Sequence, residues 1–133
     1  MEELCLNDTV IKAIKKEVAF LVRKLMGDDL VRVILYGSCA RGDYSVDSDI
    51  DIALITVCDR IEAKRYNEGL AQIATQLAMN YFAIVNFVCL PEAEFLEKRS
   101  WYLYFRNIAL EGEVLYTRRP FLPYGVRIPR WTT

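Results

Sequence analysis

Three apolar runs constrain this chain more than any other feature: LVRVILY (30–36), DIDIALITV (49–57) and FAIVNFVCL (82–90). Each is rich in β-branched and aromatic residues, and each predicts a strand. Helical periodicity surrounds them. Val10, Ile14, Val18, Leu21 and Leu25 recur at three- and four-residue steps after the capping-type Asn7, Asp8 and Thr9, and MGDD (26–29) breaks that pattern. A second helical stretch starts at Ile61 and puts Leu70, Ile73, Ala74, Leu77, Ala78 and Tyr81 on one face. Pro91 is suited to open a third helix as its first residue. Trp101, Tyr104, Phe105 and Ile108 stripe the later part of that helix and Gly112 stops it. A short closing strand is expected over 113–116. The alternation of helix and strand predicts an α/β domain.

Several function classes are excluded by what the chain lacks. With no histidine, it has no His-based nucleophile triad, no His-ligated metal and no imidazole acid–base catalysis. Seventeen basic and eighteen acidic residues give a net charge of −1, so no global field draws in nucleic acid or an acidic membrane, and a polyanion site would need a local patch. Cys5, Cys39, Cys58 and Cys89 are too scattered for a four-cysteine zinc site and read as reduced core thiols of a cytoplasmic protein. The acidic start, MEELCLNDTV, does not read as a signal peptide, and no apolar run is long enough to span a bilayer. A chain of 133 residues is the size of one domain with one sizeable core.

The chemistry concentrates between the first two strands. There Gly37 and Ser38 end one strand, Arg41 follows, and Asp43, Asp47, Asp49 and Asp51 crowd into nine residues. Asp49 and Asp51, two apart on an expected strand, project from the same face at a separation that divalent cations can bridge. Gly37 lets the chain approach a bound anion, and the following N–H groups with the Ser38 hydroxyl can hold phosphate oxygens. A lone D-x-D or a lone Gly-Ser is usually a solvated turn. Their combination at this spacing, across two strands, points to metal-assisted nucleotide chemistry. Arg41 reads either as a further phosphate contact or as a partner for Asp43 or Asp47.

The stretch GSCARGDYSVDSDIDI resembles the signature of the polymerase-β-like nucleotidyltransferases, and the short chain resembles their minimal nucleotidyltransferase branch over residues 10–116. The resemblance implies a single α/β domain (1–116) with a mixed sheet backed by helices. It also implies transfer of a nucleoside monophosphate, AMP from ATP, to a protein, small-molecule or RNA acceptor. Asp49 and Asp51 would be catalytic and hold Mg²⁺ or Mn²⁺, while Gly37, Ser38 and Arg41 would bind the nucleotide. The family's third carboxylate falls at Asn86, whose amide oxygen is a weak ligand and cannot accept a proton, so attenuated activity is expected. Glu92 or Glu94 could substitute, although both also read as helix-start acids. A HEPN-type partner, as in toxin–antitoxin pairs, is implied as well. The alternative is a non-catalytic or weakly catalytic antitoxin-like subunit. Trp101, Tyr104 and Phe105 read as core in preference to an interface. Residues 117–133, basic and proline-containing, read as a flexible or partner-docking tail.

Overall fold

The computed structural model describes residues 6–118. Helix α1 (Asp8–Met26) starts where the Asn7 side chain accepts the Val10 N–H at 2.9 Å. It buries Ile11, Ile14, Val18, Val22 and Met26. A 3-10 turn, Gly27–Asp29, leads into β1 (Leu30–Tyr36), and a four-residue helix, α2 (Ser38–Arg41), follows directly. Next come β2 (Ile50–Thr56), the short α3 (Arg60–Ala63) with an Asp59/Glu62 capping box, and α4 (Asn67–Tyr81). The described chain ends with β3 (Val85–Pro91), α5 (Glu92–Lys98), α6 (Leu103–Glu111) and β4 (Glu113–Thr117).

The strands lie in the order β3-β2-β1-β4. β2 is antiparallel to β1 and parallel to β3, and β4 returns antiparallel along the other side of β1, so the sheet is mixed. Each face carries its own core. One joins α1 and α4 to Val33, Leu35, Ile52 and Leu54, and the other joins α5 and α6 to Ile34, Ala53, Ile55 and Leu90. Burial on both faces explains why β1 and β2 read as continuous apolar runs and not as alternating ones. The exception inside β1 is Arg32, which is buried and bridges to Glu92 at 3.4 Å, tying α5 to the sheet.

Several boundaries differ from the sequence expectation: the helix expected from Ile61 is α3, a 3-10 turn (Lys64–Tyr66) and α4, and β2 begins at Ile50, one residue after Asp49. β3 starts at Val85 and not at residue 82, because Phe82 takes a left-handed conformation (φ 55°, ψ 39°) that ends α4. Pro91 closes β3 and caps α5, so it precedes the helix and is not its first residue. The single helix expected after Pro91 is two helices, since Tyr102 is extended (φ −86°, ψ 113°) and breaks the hydrogen-bond ladder. That break splits the aromatic stripe. Phe105 and Ile108 enter the core, while Trp101 (64% exposed) and Tyr104 (42%) stay outside, which corrects their expected place in it. Cys39 and Cys58 are buried free thiols and Cys89 is half-buried; burial pushes the Cys89 thiol up to about 11. Cys5 lies outside the described residues. In the expected tail, Thr117 completes β4 and the Arg118 N–H bonds the Val31 carbonyl at 2.9 Å; residues 119–133 lie outside the described residues.

Candidate active site

Strand register builds the site. Tyr36 at the end of β1 pairs with Asp51 on β2, and Asp51 pairs with Asn86 on β3, giving one row across three strands. Side chains alternate along a strand, and Ala53 and Ile55 belong to the α5/α6 core, so Asp51 projects from that same face. Asp49 sits just before β2 begins and is exposed. The Asn86 amide draws the pair together: its Nδ2 donates to Asp49 Oδ2 at 3.1 Å and to Asp51 Oδ1 at 3.3 Å.

Gly37 sets how close the chain comes to those carboxylates. Its φ of 79° and ψ of −159° belong to a region that only glycine adopts readily. A Cβ there would lie 2.8 Å from Asp51 Oδ2. The same turn starts α2 at Ser38, and the first N–H groups of a helix have no partner within it. Cys39 anchors α2 from below, its thiol donating to the Asp49 carbonyl at 3.6 Å. Burial and the Asp51 charge hold that thiol above its ordinary pKa, so it remains protonated and inert.

The structure therefore brings Gly37, Ser38, Asp49, Asp51 and Asn86 to one end of the sheet. Arg41 stands beside them but is engaged, with Nε on Asp43 at 3.2 Å and Nη1 on Glu111 at 3.1 Å. Of its two readings from sequence, the carboxylate partnership is the one present, and Asp47 is not among its partners. Glu92 and Glu94 do not reach the row. Glu92 serves Arg32, Glu94 serves Arg60 and Lys98, and both follow Pro91, which pairs with Thr56 at the other end of β3, about 16 Å from Asn86.

Two groups escaped the sequence reading. Tyr36 hydrogen-bonds Tyr104 between their hydroxyls at 2.9 Å, and burial, with smaller contributions from that bond and the Asp51 charge, raises its pKa. Glu111 holds Arg41 from 70 residues away. Tyr36 could have been marked by its place directly before Gly37, whereas nothing local in the sequence announces Glu111.

The hard oxygens facing the row are the Asp49 and Asp51 carboxylates, which suit Mg²⁺ or Mn²⁺ completed by substrate phosphates, while Asn86 presents its Nδ2 to them and would have to turn its amide over to offer an oxygen. No group of three His, Cys, Asp or Glu side chains is gathered for a metal among the described residues, consistent with an amide at the third place. Without a Cβ, Gly37 lets the Asp51 carboxylate lie against the turn whose following N–H groups can hold phosphate oxygens.

The family model of the nucleotidyltransferase domain matches residues 11–110, which span both acids, Asn86 and the Gly-Ser turn. The chain belongs to this family. This nucleotidyltransferase is 36% identical over 105 residues to "Putative protein adenylyltransferase MJ0604" of Methanocaldococcus jannaschii, covering 79% of this chain and 96% of the relative. It is 30% identical over 77 residues to "Putative protein adenylyltransferase MJ0141" of the same organism, covering 58% and 72%. Among solved structures it shares its fold with a toxin–antitoxin crystallised with AMP-PNP, at a TM-score of 0.52 and 23% identity, covering 77% of this chain and 73% of that one. The nucleotidyltransferase also shares its fold with a mutant of the toxin–antitoxin MntA-HpeT, at 0.52 and 22%, with the same coverage.

Proposed function

We propose that this nucleotidyltransferase moves AMP from ATP to a hydroxyl of a partner protein, the hydroxyl oxygen attacking the α-phosphorus and pyrophosphate leaving, using Mg²⁺ or Mn²⁺ held by Asp49 and Asp51. The observation that carries the reading is the Tyr36–Asp51–Asn86 row beside the Gly37–Ser38 turn, which sets two carboxylates against a backbone poised for phosphate. A bound divalent ion would supply Lewis-acid charge at the phosphate oxygens. Gly37 gives the triphosphate its close approach, and the Ser38 hydroxyl and N–H groups hold its oxygens. Arg41 contacts phosphate by exchanging one of its carboxylate partners. Asn86 holds Asp49 and Asp51 in convergence but takes no proton, so acceptor deprotonation falls to Asp49, Asp51 or solvent and transfer is slow. The protein acceptor is favoured by the names of the two relatives. A HEPN-type partner is the associated proposal, resting on the likeness to toxin–antitoxin structures; the residues after Arg118 serve as its docking arm, and the pair is cytoplasmic.

Incubation with Mg²⁺ and α-labelled ATP, together with a co-purifying partner, tests the proposal. Label is expected on the partner protein and only with metal present. If wild-type protein binds Mg²⁺-ATP yet labels no acceptor, a non-catalytic antitoxin-like subunit is the better reading. Deleting residues 119–133 should weaken the partner complex while sparing nucleotide binding.

A further inference from the structure

On the sheet face opposite the one from which Asp51 projects, α1 and β4 enclose a basic groove that reaches α2 at Cys39 and Gly42. Its larger part, about 740 Å³, runs from Tyr44 beside α2 along Lys12, Lys15 and Lys16. A second recess of about 420 Å³ shares Phe20 and Arg23 with it and continues to Lys24 and Asp28. In a chain of net charge −1, this is a local concentration of cations. Lys15 is bridged to Glu113 at 2.9 Å and Arg23 lies over the Tyr116 ring at 4.4 Å. Lys12, Lys16 and Lys24 have no carboxylate within bridging distance among the described residues. Between them Phe20 is 63% exposed.

From Lys12 to Lys24 the stripe measures about 18 Å at the α-helical rise. Lys12, Lys16, Phe20 and Lys24 recur every four residues and so share one side of α1. Acids border it: Asp8 and the Lys15-bridged Glu113 line the larger part and Asp28 the smaller. An extended polyanion charged at every residue would run onto those acids, and it would gain little from a phenyl ring set among its phosphates. A protein segment three to four turns long avoids both penalties by placing acids over the lysines and an apolar residue on Phe20. The chain's own residues 119–133 carry three arginines and no acid, so charge excludes them as the occupant.

We propose that this groove docks an acidic amphipathic helix of a partner protein, at a site separate from the nucleotide row. The inference rests on the reading that the enzyme works with a protein partner. It adds the face that partner occupies and the chemistry by which it is recognised. Binding there keeps the partner attached while the site at the end of β1 stays open to ATP.

Fluorescence anisotropy on the full chain tests it with three labelled probes. They are a helical peptide of about 14 residues with glutamates flanking a leucine at four-residue steps, the same residues scrambled, and a single-stranded RNA of about 15 nucleotides. The patterned peptide should bind about tenfold more tightly than the scrambled one, and the double variant Lys12→Glu/Lys16→Glu should lose about tenfold. Phe20→Ser should weaken binding several-fold even in salt that screens the lysines. Undiminished Mg²⁺-ATP binding by each variant confirms that it folds. RNA binding more tightly than either peptide, and losing affinity on charge reversal, would overturn the proposal in favour of a nucleic-acid surface. Equal affinity for patterned and scrambled peptides, or indifference of every probe to the reversal, would also overturn it. Peptide binding is read without nucleotide, so its failure leaves the transfer reading standing, and a failure to label any protein leaves the groove result standing.

Discussion

The two ends of β1 both gather aspartates and treat them in opposite ways. Where the strand begins, Asp29 accepts hydrogen bonds from Tyr66 and Arg65, which hold its carboxyl below the ordinary value, and Arg118 reaches the Asp28 carbonyl. Where the strand ends, Asp49 and Asp51 receive, among the described residues, the neutral Asn86 amide and no cation, while nearby Arg41 is taken up by Asp43 and Glu111. A cation partner neutralises a carboxylate and fixes it in place. An amide orients a pair of carboxylates and leaves their charge available to a metal or a substrate. The first end is organised for holding the fold and the second for binding.

Exchanging acids at the two ends should break this symmetry most forcefully. Asp51→Ala should lower nucleotidyl transfer by on the order of a hundredfold to a thousandfold, the scale of losing a metal ligand, with little change in melting temperature. Asp29→Ala should do the reverse, lowering the melting temperature while leaving transfer rates near wild type. Paired thermal melts and label-transfer rates check both, and equal stability losses from the two variants would remove the distinction. Gly37→Ala comes next in size and should harm both properties. Its backbone conformation costs a residue with a Cβ about 1–3 kcal/mol, and the added carbon would press on the Asp51 carboxylate. Denaturant unfolding measures the first effect, and Mg²⁺-ATP calorimetry the second.

Much of this contrast is legible in the sequence, and the reason differs from place to place. β1, β2 and the Gly-Ser to D-x-D spacing are local: continuous apolar runs and a loop of fixed length place Gly37, Asp49 and Asp51 with no knowledge of the rest of the chain. Asn86 is legible as the one polar residue within an apolar run, and the parallel pairing of β2 with β3 sets it beside Asp51. The fate of Arg41 is not legible, because Glu111 arrives from α6 by a tertiary path. Nor is the split of the aromatic stripe. Helical periodicity continues through residues 98–103, and only the extended backbone at Tyr102 turns Trp101 and Tyr104 outward. The partners of Asp29 are equally remote in sequence, since Arg65 and Tyr66 lie on the turn before α4.

Asn86→Asp sharpens the comparison at the active-site end. It replaces a donor that reconciles Asp49 and Asp51 with a third negative charge, so the metal-free variant should unfold at a lower temperature than wild type. Added Mn²⁺ should raise its melting temperature more than it raises that of wild type, because binding to the folded state is now stronger. Electron paramagnetic resonance titration of free Mn²⁺ checks the affinity directly. Transfer should rise several-fold if the site is otherwise complete. A slower variant would mean that Asn86 has a positive role in the reaction that an acid cannot fill.

The smallest effect belongs to pH at the structural end. Asp29 and Glu94 both have lowered pKa values. Hydrogen bonds from Tyr66 and then Arg65 cause the first, and hydrogen bonds from Arg60 and then Lys98 cause the second. A carboxyl that is more acidic when folded than when unfolded adds stability above its unfolded pKa and loses it as pH falls through its folded pKa. The reference values are 3.8 for Asp29 and 4.5 for Glu94, so neither group should make stability vary between about pH 6 and 8, and both contributions should fade below about pH 4.5. Asp29→Asn should therefore be less stable than wild type at neutral pH, and the gap should close as the pH is lowered past that window. Both groups are half-buried at the surface with Arg partners that are exposed, so salt screens their pairs and the gap should also shrink in concentrated salt. Urea unfolding at pH 7, 5 and 3.5 checks this. A gap that stays constant over that range would show that Asp29 acts through packing and not through its charge, and the contrast between the two ends of β1 would then rest on the active-site acids alone.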